Sequence, residues 1–173
     1  MFTFTGPQID TALNNTAERI GNIEELHVPK CPSEPNYKIV GPDQTCYFFE
    51  VVKKNFANAQ ANCDKKFGFR GGHLAEPQTA DRSALLNKYA QEILNNQRYY
   101  WIGYDDLGHG TGNFRYSTTH SVSSITGLNY DGFDGASGEH CAAFNWSSGN
   151  GHVDDKKCEN EYSSICEFKK IIK

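Results

Sequence analysis

Six cysteines constrain the fold of this 173-residue chain more than any other feature of its sequence. They are Cys31, Cys46, Cys63, Cys141, Cys158 and Cys166, an even number without a Cys-x-x-Cys pair. Zinc sites usually take cysteine ligands from such close pairs, so the spacing favours disulfides over a metal cluster. Disulfides persist in oxidising compartments, and we therefore expect a secreted, extracellular protein. Six cysteines allow fifteen pairings, and their number alone selects none of them.

Charge and hydropathy argue against a polyanionic ligand and against a membrane-spanning segment. The formal net charge is −4 at pH 7, which gives no support to a nucleic acid or an acidic membrane surface as the ligand. No apolar run approaches the roughly 18 residues that a membrane-spanning helix needs, and the first residues lack a signal-peptide core. Asn14 and Asn145 each begin a glycosylation sequon, which agrees with a secreted glycoprotein.

The first 30 residues are predicted to form an amphipathic helix. Their apolar residues fall on one helical stripe: Ile9, Leu13, Ala17, Ile20 and Ile23. This helix either packs on its own domain or pairs with copies of itself as a short coiled-coil neck, which would make the protein a homo-oligomer. Pro29 ends it.

From Cys31 onward the pattern predicts an α+β domain. "YKIV" and "CYFFEVV" form a hairpin, "NFANAQANCDKKF" and "QTADRSALLNKYAQEIL" are two amphipathic helices, and "YYWIGYDD" is a buried strand. A long stretch rich in Gly, Ser, Thr and Asn follows, and a loop of that length is usually functional or disordered. Two short strands around Cys141 and Cys166 close the domain.

Residues 31–168 resemble a C-type lectin domain. The landmarks stand in family order: "CP", "TCYFF", "NFANAQANC", "GGHLAEP", "WIGYDD", "GNFRYS" and "ICEF". The resemblance implies the long form of the C-type lectin fold, with small antiparallel sheets, a long loop region and three disulfides. The implied pairs are Cys31–Cys46, Cys63–Cys166 and Cys141–Cys158. Residues 169–173 are then a short basic tail.

The resemblance also implies a calcium ion beside the long loop, with sugar hydroxyls completing its shell. By position relative to the cysteines, the metal and carbohydrate ligands are Asp131, Glu139, Asp154 and Asp155. Phe133 stands where the family places a further Asn or Asp and cannot coordinate, although a slip of one residue would let Asp134 serve. Carboxylate oxygens suit a hard cation, so we expect Ca²⁺ as the cofactor. A solvated acidic turn is the alternative.

Several other residues receive an expected role. Tyr130, Phe133 and Trp146 are candidates for stacking on a sugar face, although Trp146 fits core packing equally well. Trp101 is expected in the core, and "EPN" at 34–36 is expected to be a turn remote from the long loop. Asp81 and Glu167 align with a second, structural calcium position of the family.

An enzyme is the least favoured class, because no nucleophile and base stand together and the six histidines are scattered; His152 and Asp154 lack a third group. We predict a calcium-dependent carbohydrate-binding lectin that recognises glycans on microbial or cell surfaces, with a role in innate immunity. The alternative is a calcium-independent module of the same family that binds a protein or another non-sugar ligand. The family motif that distinguishes sugars is replaced by "DGF", so the sugar is not predicted.

Overall fold

The computed structural model describes residues 31–41, 43–68, 71–94, 97–122, 138–147 and 150–168. All of them belong to one compact unit, Cys31–Lys170. Two predicted elements, the N-terminal helix and the basic tail, lie outside the described residues. So do four residues of the predicted loop motif and its surroundings: Tyr130, Asp131, Phe133 and Asp134.

The described strands form one mixed sheet. They are β1 (Tyr37–Val40), β2 (Thr45–Lys54), β3 (His73–Leu74), β4 (Tyr99–Asp105), β5 (Arg115–Tyr116), β6 (Cys141–Ser147), β7 (Asn150–Lys156) and β8 (Tyr162–Phe168). The main order is β1-β2-β8-β4-β6-β7, with β3 on β8 and β5 on β4. The pairs are antiparallel except β4 with β8, which is parallel and joins into one sheet what the sequence predicted as small antiparallel sheets.

The two predicted helices of the domain are confirmed. Helix α1 (Phe56–Phe67) begins where the Asn55 side chain accepts a hydrogen bond from the Asn58 amide. Helix α2 (Ala80–Ile93) begins where Thr79 accepts one from the Arg82 amide. Such caps satisfy amide groups that have no partner inside the helix. α1 buries one stripe at helical spacing, which consists of Phe56, Ala59, Cys63 and Phe67.

All three implied disulfides are present: Cys31–Cys46, Cys63–Cys166 and Cys141–Cys158. Cys63–Cys166 joins α1 to β8 across 103 residues of sequence. In the chain-entropy account, closing a loop of about 100 residues stabilises the fold by about 4.7 kcal/mol. Cys141–Cys158 closes the base of the β6–β7 hairpin, where the candidate site lies.

Two apolar clusters hold the sheet, and Trp101 is central to one of them. Its side chain is fully buried, as predicted, and its indole Nε1 donates to the Lys54 carbonyl at 2.9 Å. Two residues further along β4, Gly103 permits a close approach of β3. A Cβ there would lie 2.6 Å from the Leu74 carbonyl oxygen, so a larger residue would push the strands apart.

Candidate functional site

The open end of the β6–β7 hairpin, opposite its turn, brings predicted ligand residues near one another. Glu139 lies two residues before the start of β6, and Asp154 and Asp155 lie near the end of β7. Cys141 pairs with Lys156 across the two strands, and Ala143 pairs with Asp154. This register places the chain segment carrying Glu139 beside the last residues of β7.

Lys156 lies between two of the predicted calcium ligands. Its Nζ is 2.8 Å from Asp154 Oδ2 and 3.6 Å from Glu139 Oε2. The Lys156 side chain is only 14% exposed, that of Glu139 is 18% exposed and that of Asp154 is 20% exposed. The ammonium also lies over the ring of Tyr99, 5.4 Å from its centroid. A lysine therefore supplies positive charge where the sequence predicted a metal ion.

The balance of charge keeps Lys156 protonated. Burial alone would lower the pKa of Lys156. The hydrogen bond and charge of Asp154, with the charge of Glu139, outweigh burial and raise the pKa above its ordinary value. The ammonium and the two carboxylates thus stabilise one another in a partly buried setting, where such pairs are screened less than at the surface.

Asp155 lies on the other side of β7 from Asp154. Exposure alternates along the strand, with Val153 and Asp155 buried and Asp154 and Lys156 partly exposed. Asp155 is 1% exposed, and both of its carboxylate oxygens are shielded from solvent. Since side chains in a strand alternate between faces, Asp155 faces the interior together with Val153. The two adjacent aspartates therefore do not share one surface.

Asn145 adds a further contact to this face. Its Nδ2 donates to Asp154 Oδ2 at 2.9 Å, and the residue is 4% exposed. Nδ2 is the nitrogen that a sequon would glycosylate. The sequon therefore presents a buried, hydrogen-bonded amide. The side chain of Trp146, the next residue, lies outside those described.

The described residues fit a calcium ion poorly. Calcium takes six to eight oxygen ligands and would be repelled by a neighbouring ammonium. Of the four predicted ligands, Glu139 and Asp154 bind Lys156, Asp155 faces inward, and Asp131 is not described. Within the described ranges, no group of three or more acidic, histidine or cysteine side chains is arranged to hold a metal ion.

A buried glutamate that sequence reasoning missed holds the start of the long loop. Glu76 is 7% exposed and follows β3. Its Oε1 accepts hydrogen bonds from the Thr118 amide at 3.0 Å and the Ser117 hydroxyl at 3.4 Å. Its Oε2 accepts one from the Thr118 hydroxyl at 3.0 Å. An isolated Glu in "GGHLAEP" gave no signal of this role, because its partners lie about 40 residues away.

Asp106 connects the two ends of the same region. Its Oδ1 lies 2.8 Å from His140 Nδ1, and its Oδ2 accepts from the Gly112 amide at 2.7 Å. Its own amide donates to the His140 carbonyl at 3.1 Å. The Asp106 carboxylate is buried, whereas the His140 side chain is 39% exposed. The segment before residue 123 and the segment after residue 137 are therefore fixed to one another.

The second predicted calcium position has a different environment. Glu167 is buried, and its Oε2 accepts from the Glu76 amide at 3.1 Å, while Oε1 lies 3.5 Å from His73 Nε2. Burial raises the pKa of Glu167 above its ordinary value, although His73 opposes the shift. Asp81 is exposed in the first turn of α2 and is not among the neighbours that act most strongly on Glu167.

The structure also locates two other features of the sequence, the "EPN" segment and the pair of His152 and Asp154. The "EPN" segment forms a turn, in which the Tyr37 amide donates to the Glu34 carbonyl at 3.0 Å. His152 and Asp154 lie on the same partly exposed side of β7, two residues apart. The described part of the chain contains no helix long and apolar enough to cross a membrane.

Comparisons with known proteins identify the family. The lectin C-type domain family matches residues 52–168. Tetranectin from Bos taurus is 24% identical over 171 residues, which cover 93% of this chain and 76% of the relative. The chain belongs to the C-type lectin domain family. Domains of this family are generally non-enzymatic binding modules.

Solved structures of a C-type lectin domain and of an antifreeze protein share the fold. The lectin domain of murine dendritic cell inhibitory receptor 2, solved in complex with an N-glycan, has a TM-score of 0.66 at 21% identity, covering 82% of this chain and all of that one. A calcium-independent type II antifreeze protein has a TM-score of 0.63 at 21% identity, covering 84% and 98%. At such identity the likeness shows the fold alone.

Proposed function

We propose that this protein is a secreted recognition module that binds glycans on microbial or cell surfaces, through the face at the end of the β6–β7 hairpin. The observation that carries the proposal is the polar group on this face: Glu139, Asp154 and Lys156, each 14–20% exposed. These side chains are reachable, yet their mutual contacts hold them in fixed positions. Donors and acceptors that are already fixed in place suit sugar hydroxyls, because they lose less conformational entropy on binding than mobile side chains do.

An aromatic side chain lies beside this polar group. The Tyr99 ring is half buried and lies under the Lys156 ammonium, and it also packs against Tyr162, with centroids 5.0 Å apart. Carbohydrate ligands have both hydroxyl groups and apolar C–H faces, so polar groups next to a ring match their chemistry. Secretion is supported by the three disulfides.

A glycan-binding screen tests this function. The protein should be applied in calcium and again in chelator, together with Asp154→Asn and a control, Glu161→Gln, at an exposed position of the same domain. We expect bound glycans whose signal falls at least several-fold in Asp154→Asn and is kept in Glu161→Gln. Binding that is equal in both variants would place the ligand elsewhere on the domain.

The second candidate function is a calcium-independent module for a protein ligand. It is favoured by the position of Lys156, which lies within 4 Å of two predicted calcium ligands. Failure of the screen to detect any glycan, in calcium or in chelator, would favour this function over the first. In that case a cell-surface protein is the class of ligand to test next. In either function, oligomerisation through residues 1–30 would raise the effective affinity by multivalency.

A further inference from the structure

Calcium sites in proteins collect negatively charged oxygen atoms that repel one another without the ion. At the end of the β6–β7 hairpin the chain has collected Glu139 and Asp154 in this way, and the ammonium of its own Lys156 contacts both carboxylates. We infer that the Lys156 ammonium occupies the position of the predicted calcium ion, so that this face is ordered and able to bind its ligand without calcium.

The local structure fixes Lys156 in this place. Lys156 is the last residue of β7 and pairs with Cys141, the first residue of β6. The disulfide from Cys141 to Cys158 cross-links the two strands beside Lys156. The His140 amide donates to the Lys156 carbonyl at 3.2 Å, which binds the backbone next to Glu139 to the backbone of Lys156. The ammonium therefore reaches both carboxylates from a rigid, cross-linked backbone.

The contacts of the face, more than its net charge, oppose a metal ion, because the ammonium already contacts both carboxylates. Glu139 and Asp154 contribute two negative charges and Lys156 one positive charge, with the Tyr99 ring facing the ammonium as a further favourable partner. A divalent ion would have to displace the ammonium from a 2.8 Å contact with Asp154. Asn145 Nδ2 already takes a second bond to the same oxygen of Asp154.

The role of Lys156 rests on the proposed binding face, but it can be tested without a glycan. The melting temperature is measured in millimolar calcium and in chelator with sodium chloride at matched ionic strength, for wild type, Lys156→Gln and Lys157→Gln. Lys157 is the exposed neighbour of Lys156 and serves as the matched control. Lys156→Arg, which keeps the charge, is a second comparison.

We expect calcium to leave the melting temperature of wild type, Lys156→Arg and Lys157→Gln unchanged. In Lys156→Gln the freed carboxylates can accept the ion, and calcium should raise the melting temperature by several degrees, because a ligand that binds only the native state stabilises it. Adding Asp154→Asn to Lys156→Gln should abolish this rise.

Two results would overturn the inference. One is a calcium-induced rise in wild type that Asp154→Asn removes, because the ion would then bind this face despite Lys156. The other is a Lys156→Gln protein that responds to calcium no more than Lys157→Gln does. The wild-type measurement alone is decisive if Lys156→Gln fails to fold. Neither result depends on the glycan screen, so the failure of one proposal leaves the other measurable.

Discussion

Removing the Glu76 carboxylate should weaken the start of the long loop and lower the stability of the domain. Glu76 accepts three hydrogen bonds from Ser117 and Thr118 in a site that is 7% exposed. Hydrogen bonds to charged groups contribute about 1.5–3 kcal/mol each, but the bonds share one carboxylate and are not additive. The nearby charge of Glu167 repels that of Glu76 and reduces the gain.

We therefore expect Glu76→Ala to lower the free energy of unfolding by about 3 kcal/mol. For a domain of this size that corresponds to a fall in melting temperature of roughly 6–12 °C. Glu76→Gln should cost only about 1 kcal/mol, because its carbonyl oxygen can still accept from the Thr118 amide and its amide can donate to the Thr118 hydroxyl. Glu92→Gln, at an exposed position of α2, is the control and should melt like wild type.

Chemical denaturation gives these free energies, and amide hydrogen exchange gives the location of the effect. Exchange at the Thr118 amide should accelerate strongly in Glu76→Ala and little in Glu76→Gln. The reasoning is refuted if Glu76→Ala is as stable as the Glu92→Gln control. It is also refuted if the stability falls but the Thr118 amide remains protected, because the loss would then have another cause.

Four further expectations follow from the described contacts and the sequence. Burial raises the pKa of Glu167, so the folded state holds its proton more tightly than the unfolded state; wild type should therefore gain stability relative to Glu167→Gln as the pH falls from 7 to 5, and a relative loss in denaturation curves would contradict this. Trp101→Phe removes a fully buried indole and its bond to the backbone and should cost about 1–3 kcal/mol by the same measurement. Asn145, being buried and bonded, should carry no glycan in protein secreted from eukaryotic cells, which peptide mass spectrometry checks. Replacing Ile20 and Ile23 by Asp should convert a dimer or trimer to monomers in sedimentation experiments, and a wild-type protein that is already monomeric at high concentration would exclude the neck.

The framework of the fold was readable from the sequence because its signals are local. α1 and α2 follow apolar residues at helical spacing, and the three disulfides follow from family landmarks that keep their order along the chain. The parallel pairing of β4 with β8 was not readable in this way, since it joins segments about 60 residues apart. No local pattern records such a pair.

The role of Lys156 was not predicted, although the sequence contains a signal for it. A strand repeats every two residues, so Lys156 must share a side with Asp154, whereas Asp155 must face the opposite side. The family positions group Asp154 with Asp155, whereas the strand period separates them. The contact with Glu139 needed the structure, because it depends on the register of β6 against β7.

The two ends of the segment 123–137 are held by contacts that do not involve that segment. On one side Glu76 binds Ser117 and Thr118, and on the other the Cys141–Cys158 disulfide closes the hairpin, with Asp106 connecting the two sides through His140 and Gly112. These contacts are formed by buried or cross-linked groups of the scaffold. The described residues on either side of 123–137 are therefore fixed by contacts among themselves, and binding segments are commonly carried on such a rigid scaffold. Lys156 belongs to the scaffold side of this division, since it is fixed by a strand and a disulfide. The internal cation of the proposed binding face is thus held by the scaffold itself.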